Sequence, residues 1–245
     1  MAKTVLTNVR TFAVGVDLTG NSNKIELSTE VDVKQSTNYG SNGWQEVVGG
    51  LAKAEISGEG QWEAGDPGKV DDASWAQLGG VGPWSISANN SAAVGSLAYF
   101  TQALRSEYKL FADVGEVAPW TGTAKSSWPL VRGQFAHPPG TARTATGTGT
   151  ALQVGAVAAN KRLYAALHVL SVAGTTPSIT ARVESDDNSG FTTPTTRLTF
   201  SAANAVGGQI LRTDGTAITD TWWRIAWTIS GTTPSFLFAA SLGIQ

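Results

Sequence analysis

Two stretches near the N-terminus alternate apolar and polar residues, and this two-residue period constrains the fold more than any other feature. They cover residues 24–33 and 51–62. A period of two places successive side chains on opposite faces of a β-strand. Each stretch therefore predicts a strand with one apolar and one polar face. The apolar members are Ile25, Leu27, Val31 and Val33 in the first stretch and Ala52, Ala54, Ile56 and Trp62 in the second.

The polar faces of both predicted strands are mainly acidic. They carry Glu26, Glu30, Asp32, Glu55 and Glu59 against two lysines, Lys24 and Lys53. Two interpretations remain open at this point. Charged outward faces are usual in antiparallel sheets and keep a protein in solution. Alternatively, the acidic face lines a passage through which a polyanion moves without binding.

Composition narrows the class of protein. Only 15% of the 245 residues are charged, against about 25% in an average domain, which suits a chain whose surface is covered by partners. The absence of cysteine removes disulfides, cysteine–zinc sites and thiol nucleophiles. No apolar run is long enough to predict a membrane span, and no signal peptide is predicted. No cluster of Lys and Arg predicts a surface that grips nucleic acid.

Frequent turn signals between short apolar runs predict a mainly β chain. One helix is predicted over residues 70–78, with Asp71 and Asp72 at its N-terminus and Gly79 as its stop. Residues 98–111 fit a strand or a helix by pattern, and their aromatic content favours a strand.

A polar segment rich in Gly, Pro and Thr at residues 138–149 predicts a linker between two domains, residues 1–137 and 150–245. Residues 1–137 hold fourteen Asp and Glu against ten Lys and Arg, and residues 138–245 hold five against seven. In the second domain, the motif GTTPS occurs at residues 174–178 and again at 231–235. We expect it to be one hairpin connection used twice in a β-sandwich of jelly-roll character.

Residues with catalytic potential are few. The two histidines, His137 and His168, lack a nucleophile elbow and the spacing of a metal site, and His168 fits a structural role inside an apolar strand. The acidic run at residues 184–190 fits an Asx-rich turn better than a cation loop. A glycosidase that uses two isolated carboxylates from distant strands stays open as an alternative. We predict no catalytic residue, no metal and no cofactor.

Nine tryptophans raise the question of a sugar-binding platform. Trp223 and Trp227 alternate with Ile225 and Ile229, so we expect them in the core. Trp222 is the one candidate for an exposed platform, and the other rings fit packing under loops or between subunits.

The order of several short motifs resembles the N-terminal part of major tail tube proteins of long, non-contractile-tailed bacteriophages. The resemblance covers about residues 5–137. The motifs are DLTG at residues 17–20, TNYG at 37–40, GWQE at 43–46, GGL at 49–51, GEGQW at 58–62, GEVAP at 115–119 and LVRG at 130–133. Thr19 stands where that family usually has Ser.

The resemblance implies a tail-tube β-sandwich or barrel with one flanking helix, in subunits that form stacked rings. It makes Glu26, Glu30, Asp32, Glu55 and Glu59 candidates for the lumen wall. The candidate inter-ring loop contains Gln35, Asn38, Tyr39, Asn42, Trp44 and Glu46. The ring would hold six chains, or three if the second domain is also a tube fold; otherwise that domain lies on the exterior.

Further partners implied by the resemblance are the tape measure, tail terminator and distal tail proteins, with DNA passing unbound and no membrane involved. The expected location is the virion tail, after synthesis in the host cytoplasm. Two other functions remain open: a carbohydrate-binding or adhesion module of a virion, and a capsid decoration protein. Hollow tubes of stacked rings in electron micrographs would support the tail tube function over these two alternatives.

Overall fold

A computed structural model describes residues 6–65, 68–89 and 91–245. The first five residues of the predicted first domain lie outside this description. The described chain is mainly β with one α-helix, which confirms the predicted fold class. The strands are β1 Arg10–Ala13, β2 Val16–Asp17, β3 Ser22–Gln35, β4 Val47–Gln61, β5 Val81–Ser87, β6 Leu97–Leu110, β7 Pro119–Ser126, β8 Val131–His137, β9 Gly147–Thr148, β10 Leu152–Gln153, β11 Leu163–Asp186, β12 Thr195–Thr199, β13 Gly207–Arg212 and β14 Trp222–Ile244.

The strands join in one sheet of mostly long-range pairs. Its main path runs β12–β11–β14–β8–β6–β5–β1–β2, and β7, β4 and β3 branch from β6 in that order. The branching is possible because β8 pairs with the first residues of β6, Leu97–Phe100, and β7 with its later ones, Ala103–Leu110. The β3–β4 hairpin therefore ends an arm of the sheet, and β3 pairs with no described strand except β4.

Helix α1 spans Val70–Gln77, which confirms the predicted helix, and Asp71 and Asp72 lie in its first turn. Val70 and Ala73 are buried in a core with Trp84 and Trp120. Two apolar side chains of the segment predicted as a helix, Trp75 and Leu78, are exposed to solvent. The preference for a strand at 98–111 is confirmed by β6.

The repeated GTTPS motif corrects the sequence prediction. The two copies are not hairpin connections: they lie in the middle of β11 and β14 and pair with each other, with Ala173 across from Ser235 and Thr175 across from Thr232. Gly174 and Gly231 both have φ of +116°, a conformation that L-residues rarely adopt. Each motif bends its strand, so that β11 and β14 form one long ribbon with a bend at its centre.

The ribbon encloses the larger core of the molecule. Its buried members include Trp223 and Trp227, as predicted, with Phe236 and Phe238. The segment predicted as a linker packs onto this ribbon, since Arg143 pairs with Phe236 and β9 pairs with β14. β8 bridges the two parts of the chain by pairing with both β6 and β14.

Candidate functional site: the β3–β4 hairpin

The β3–β4 hairpin brings the two alternating stretches into register. Glu30 lies directly across from Lys53, and Lys24 directly across from Glu59. Opposed residues of an antiparallel pair share a face. Since side chains alternate along each strand, the five acidic residues named above lie on one face. The alternation that the sequence predicts is therefore present in the structure.

Two further strands enlarge this face. Lys125 of β7 lies across from Glu55 of β4, and Glu107 and Lys109 of β6 lie across from threonines of β7. Lys34 follows Asp32 on β3 at the same two-residue spacing. We call the whole set the charged face: Lys24, Glu26, Glu30, Asp32, Lys34, Lys53, Glu55, Glu59, Glu107, Lys109 and Lys125.

The charged face holds six carboxylates and five lysines. The strong acidic excess read from the two stretches alone is thus reduced to one charge. Lys109 and Lys125 were missed because sequence does not reveal which distant strands become neighbours. Glu107 and Lys109 carry a local signal, since they alternate with Tyr108 and Leu110 as a half-exposed strand would.

Most lysines of the charged face are paired. The Lys53 Nζ lies 2.6 Å from Glu30 Oε1, and the Lys109 Nζ lies 2.6 Å from Glu107 Oε1. Longer pairs join Lys34 to Asp32 at 3.5 Å and Lys24 to Glu59 at 4.0 Å. All these side chains are solvent-exposed to a large degree, so the pairs add little to stability.

Lys53 lies at the centre of three carboxylates. Its hydrogen bond to Glu30 raises the pKa of Lys53, and the negative charges of Glu30, Asp32 and Glu55 act in the same direction. The ammonium group is therefore charged throughout the physiological pH range. The structure thus brings three of the five predicted acidic residues around one cation.

The opposite face of the hairpin is apolar and only partly covered. Near the sheet, Ile25 and Leu27 pack against the core under α1. Toward the tip, Val31, Val33 and Val47 are 54%, 68% and 52% exposed. Val33 and Val47 share this face because Val47 lies across from Gln35, two residues beyond Val33. We call Val31, Val33 and Val47 the apolar tip.

The loop between the strands has its own hydrogen bonds. Ser36 N donates to the Glu46 carbonyl at 2.9 Å, and Glu46 N donates to Thr37 Oγ1 at 2.9 Å. Asn38 accepts a hydrogen bond from Gly40 N and caps a 3₁₀ turn. Gln35 ends β3, and Asn42 adopts a left-handed conformation with φ of 49°.

Two aromatic rings of this loop project into solvent. Tyr39 is fully exposed and Trp44 is 81% exposed. A large ring exposed on an ordered loop is typical of a contact surface. Of the six predicted loop residues, these two are thus presented outward, while Asn38, Asn42 and Glu46 shape the turn.

A serine and a histidine contact each other elsewhere, and their geometry bears on catalysis. The Ser85 hydroxyl lies 2.9 Å from His168 Nε2, and both residues are fully buried. The Gly15 N–H donates to His168 Nδ1, so the neutral ring carries its proton on Nε2 and donates to Ser85. This tautomer cannot accept the serine proton, which a general base must do. The pair instead joins β11 to β5 and to the β1–β2 turn.

His137 has a comparable structural environment. Its ring stacks on Phe238 with centroids 4.0 Å apart, and its Nδ1 donates to the Phe238 carbonyl. Arg143 donates to its Nε2 at 3.3 Å. Burial lowers the pKa of His137 to about 4 and that of His168 to about 3. Both rings are therefore neutral at pH 7.

The acidic run at the end of β11 forms the predicted Asx turn. Asp186 accepts hydrogen bonds from Asn188 N and Thr193 N. Glu184 is held by Arg182 at 2.6 Å and Arg224 at 2.8 Å. Burial opposes its ionisation, but these two arginines outweigh that effect and lower the pKa of Glu184. Within the residues described, no group of three or more His, Asp or Glu side chains is placed to hold a metal ion.

Trp222, the candidate for an exposed platform, is half-buried beside Gln153 of β10. Its neighbour Arg224 stacks over Phe191, with 4.2 Å between the guanidinium carbon and the ring centroid. No helix in the described part of the chain has the length and apolar character of a membrane span.

Comparisons with known proteins gave the following. No family model and no curated protein matches the chain. A chain of the virion of a native gene transfer agent particle is similar over 53% of this chain and 98% of its own, with TM-score 0.44 and 14% identity. A sheath/tube terminator structure of an extracellular contractile injection system gives TM-score 0.43, with 10% identity over 54% of this chain and 97% of its own.

The SPP1 Dit protein, described as a hub of the adsorption apparatus in phages that infect Gram-positive hosts, matches over 97% of this chain and 99% of its own. Its TM-score is 0.36 and its identity 10%. All three TM-scores are below 0.5, so these likenesses assign neither a family nor a function.

Proposed function

We propose that this chain is a structural subunit of a bacteriophage-type tail tube, in which copies close into rings, the rings stack, and the channel conducts DNA. The observation that carries the proposal is the apolar tip. The apolar tip extends the apolar face of the hairpin past the residues that pack on the core. Its side chains are exposed in the single chain. Contiguous exposed apolar surface marks an interaction site.

The two faces of the hairpin suggest how copies would be arranged. The apolar tip would be covered by neighbouring copies, and the charged face, on the other side of the same strands, would face the channel. Tyr39 and Trp44 would contact the adjacent ring. A head-to-tail contact of this kind repeats without closing along the tube axis. The sequence resemblance over residues 5–137 supports the same arrangement.

The second part of the chain takes a different place in the proposal. We assign residues 150–245 to the exterior of the tube, with 138–149 as the connection. Rings of six chains, or of three if both parts are tube folds, would stack helically and meet tape measure, terminator and distal tail proteins at the tube ends. The location would be the virion tail.

Electron microscopy of concentrated protein tests the proposal. We expect hollow tubes of stacked rings from the unaltered chain. The double variant Val31→Thr/Val33→Thr should remain folded but lose tube formation, because its tip no longer gains apolar burial on assembly. Val206→Thr is the matched control, since Val206 is also 51% exposed but lies outside the hairpin.

Persistent monomers of the unaltered chain at high concentration would contradict the proposal. Equal tube formation by the tip variant and the Val206 control would show that the apolar tip is not the assembly surface.

A further inference from the structure

The near balance of charge on the charged face leaves open what would keep DNA from binding there. Six carboxylates and five lysines leave one net negative charge, and salt screens exposed charges beyond about 8 Å at physiological ionic strength. Long-range repulsion from so small an excess is weak. Each lysine, in contrast, is a group that contacts phosphate directly.

The positions of the carboxylates relative to the lysines show which lysines already have a partner of opposite charge. Four of the five lysines lie within 4.0 Å of a carboxylate oxygen. Glu30 and Lys53 are directly opposed on neighbouring strands, as are Glu59 and Lys24, which keeps each pair together without any loop rearrangement. Asp32 and Glu107 each lie two residues from their lysine along one strand.

We propose that Glu30, Asp32, Glu59 and Glu107 prevent DNA from binding by occupying the lysines of the charged face, and not by repelling phosphate at a distance. The placement of this face in a channel rests on the proposed function, whereas the masking of its lysines is a property of the face itself. A phosphate reaching Lys53 must compete with the Glu30 carboxylate, which the strand register places directly opposite. A mobile phosphate does so only briefly, and the DNA stays free to move.

Glu26 provides a matched comparison. It lies on the same strand and the same face as Glu30, but across from Ser57, and it forms no ion pair with a described lysine. Glu26→Gln and Glu30→Gln change the net charge equally. If carboxylates act by masking, only the second change makes a lysine available.

The experiment measures binding of the dispersed full-length protein to a double-stranded DNA of mixed sequence, by fluorescence anisotropy at 50 mM and 200 mM salt. We expect Glu30→Gln to raise the association constant about fivefold at the lower salt and to steepen the salt dependence by about one released counterion. Glu26→Gln should change it less than about twofold. The double variant Glu30→Gln/Lys53→Gln should return to the behaviour of the unaltered chain, because the released lysine is absent.

Equal gains for Glu26→Gln and Glu30→Gln would overturn the proposal and assign the effect to net charge. No gain for Glu30→Gln would overturn it as well. Electron microscopy of the unaltered chain at high concentration, run separately from the binding assay, distinguishes this test from the proposed function: tubes without the expected binding pattern contradict masking alone, and the binding pattern without tubes contradicts the tube alone.

Discussion

The molecule contains two long two-stranded ribbons with very different surroundings. The β11–β14 ribbon, of 24 and 23 residues, bends at its centre and encloses the larger core. The β3–β4 hairpin, of 14 and 15 residues, packs on the core only near its base. One ribbon completes its packing within the chain, and the other leaves an apolar surface uncovered. The exposed apolar surface of the hairpin is the part of the molecule through which we propose that copies assemble.

The polar groups of the two regions differ in the same way. Beside the long ribbon, Glu184 contacts two arginines, and Asp220 accepts from Ser185 and Arg197. In the arm of the sheet that carries the hairpin, formed by β6, β7, β4 and β3 and called here the hairpin sheet, the buried Arg105 has no hydrogen-bond partner for its Nε or Nη2 within the described chain. The long ribbon has therefore satisfied its buried charges, while the hairpin sheet has not.

The largest expected effect comes from the bend of the long ribbon. A Cβ on Gly231 would lie 2.8 Å from the Thr176 carbonyl oxygen and on a residue with φ of +116°. Gly231→Ala should lower the free energy of unfolding by roughly 3 kcal/mol, through backbone strain and displacement of the facing strand. Urea unfolding measures this loss.

Gly140→Ala is the control for this change, because a Cβ there meets nothing within 4 Å. We expect it to change stability by less than about 0.5 kcal/mol. Equal losses for the two variants would show that the paired GTTPS motifs are not a tight bend.

A second large effect is the loss of stability at acidic pH, which depends on two buried histidines that contact or belong to the long ribbon. Because the folded-state pKa of His137 is about 4 and that of His168 about 3, against about 6.5 in an unfolded chain, the unfolded state binds protons first. The contribution of the two histidines to stability is then constant above about pH 7 and falls as the pH drops from about 6.5 toward 4. His137 alone accounts for on the order of 3 kcal/mol of this loss.

Urea unfolding at pH 7.5, 5.5 and 4.5 measures the loss. His168→Asn should flatten the dependence, because its side chain does not titrate in this range, whatever its effect on stability at pH 7.5. An unchanged slope in that variant would mean that His168 is not held neutral by burial.

Sequence periodicity predicted the local elements well and their partners poorly. The alternation at Ile25, Glu26 and Leu27 predicted β3 because neighbouring residues alone determine which face is apolar. The prediction of hairpin connections at the GTTPS motifs was wrong, because Gly and Pro occur both in turns and in bent strands. β13 was missed, since its Gly207 and Gly208 resemble a loop; Gly208 is in fact closely packed on Pro83.

The candidate site was predicted in the same partial way. Glu30 and Lys53 could be assigned to one face of two strands, but their contact depends on the hairpin register. Lys125 joins the face through a pairing between residues 70 positions apart, which no local pattern encodes. What sequence alone could not predict was thus the long-range pairing, and with it the charge balance of the surface.

The smallest expected effect tests whether the hairpin sheet holds an unsatisfied charge. Arg105 is 2% exposed, its guanidinium lies 4.9 Å from the Trp84 ring centroid, and burial lowers its pKa to about 10. Arg105→Met removes the cost of burying the charge while retaining an unbranched side chain. We expect the free energy of unfolding to stay constant or to rise by about 1 kcal/mol.

Arg224→Met beside the long ribbon is the opposing control. It leaves Glu184, which is 4% exposed, with one of its two arginines, and should cost about 2 kcal/mol in urea unfolding. A loss of that size in Arg105→Met as well would mean that Arg105 is satisfied by groups such as buried water, and that the two regions do not differ in this respect. A gain in the Arg105 variant alone would instead show that the hairpin sheet, where assembly is proposed to occur, holds the unsatisfied buried charge.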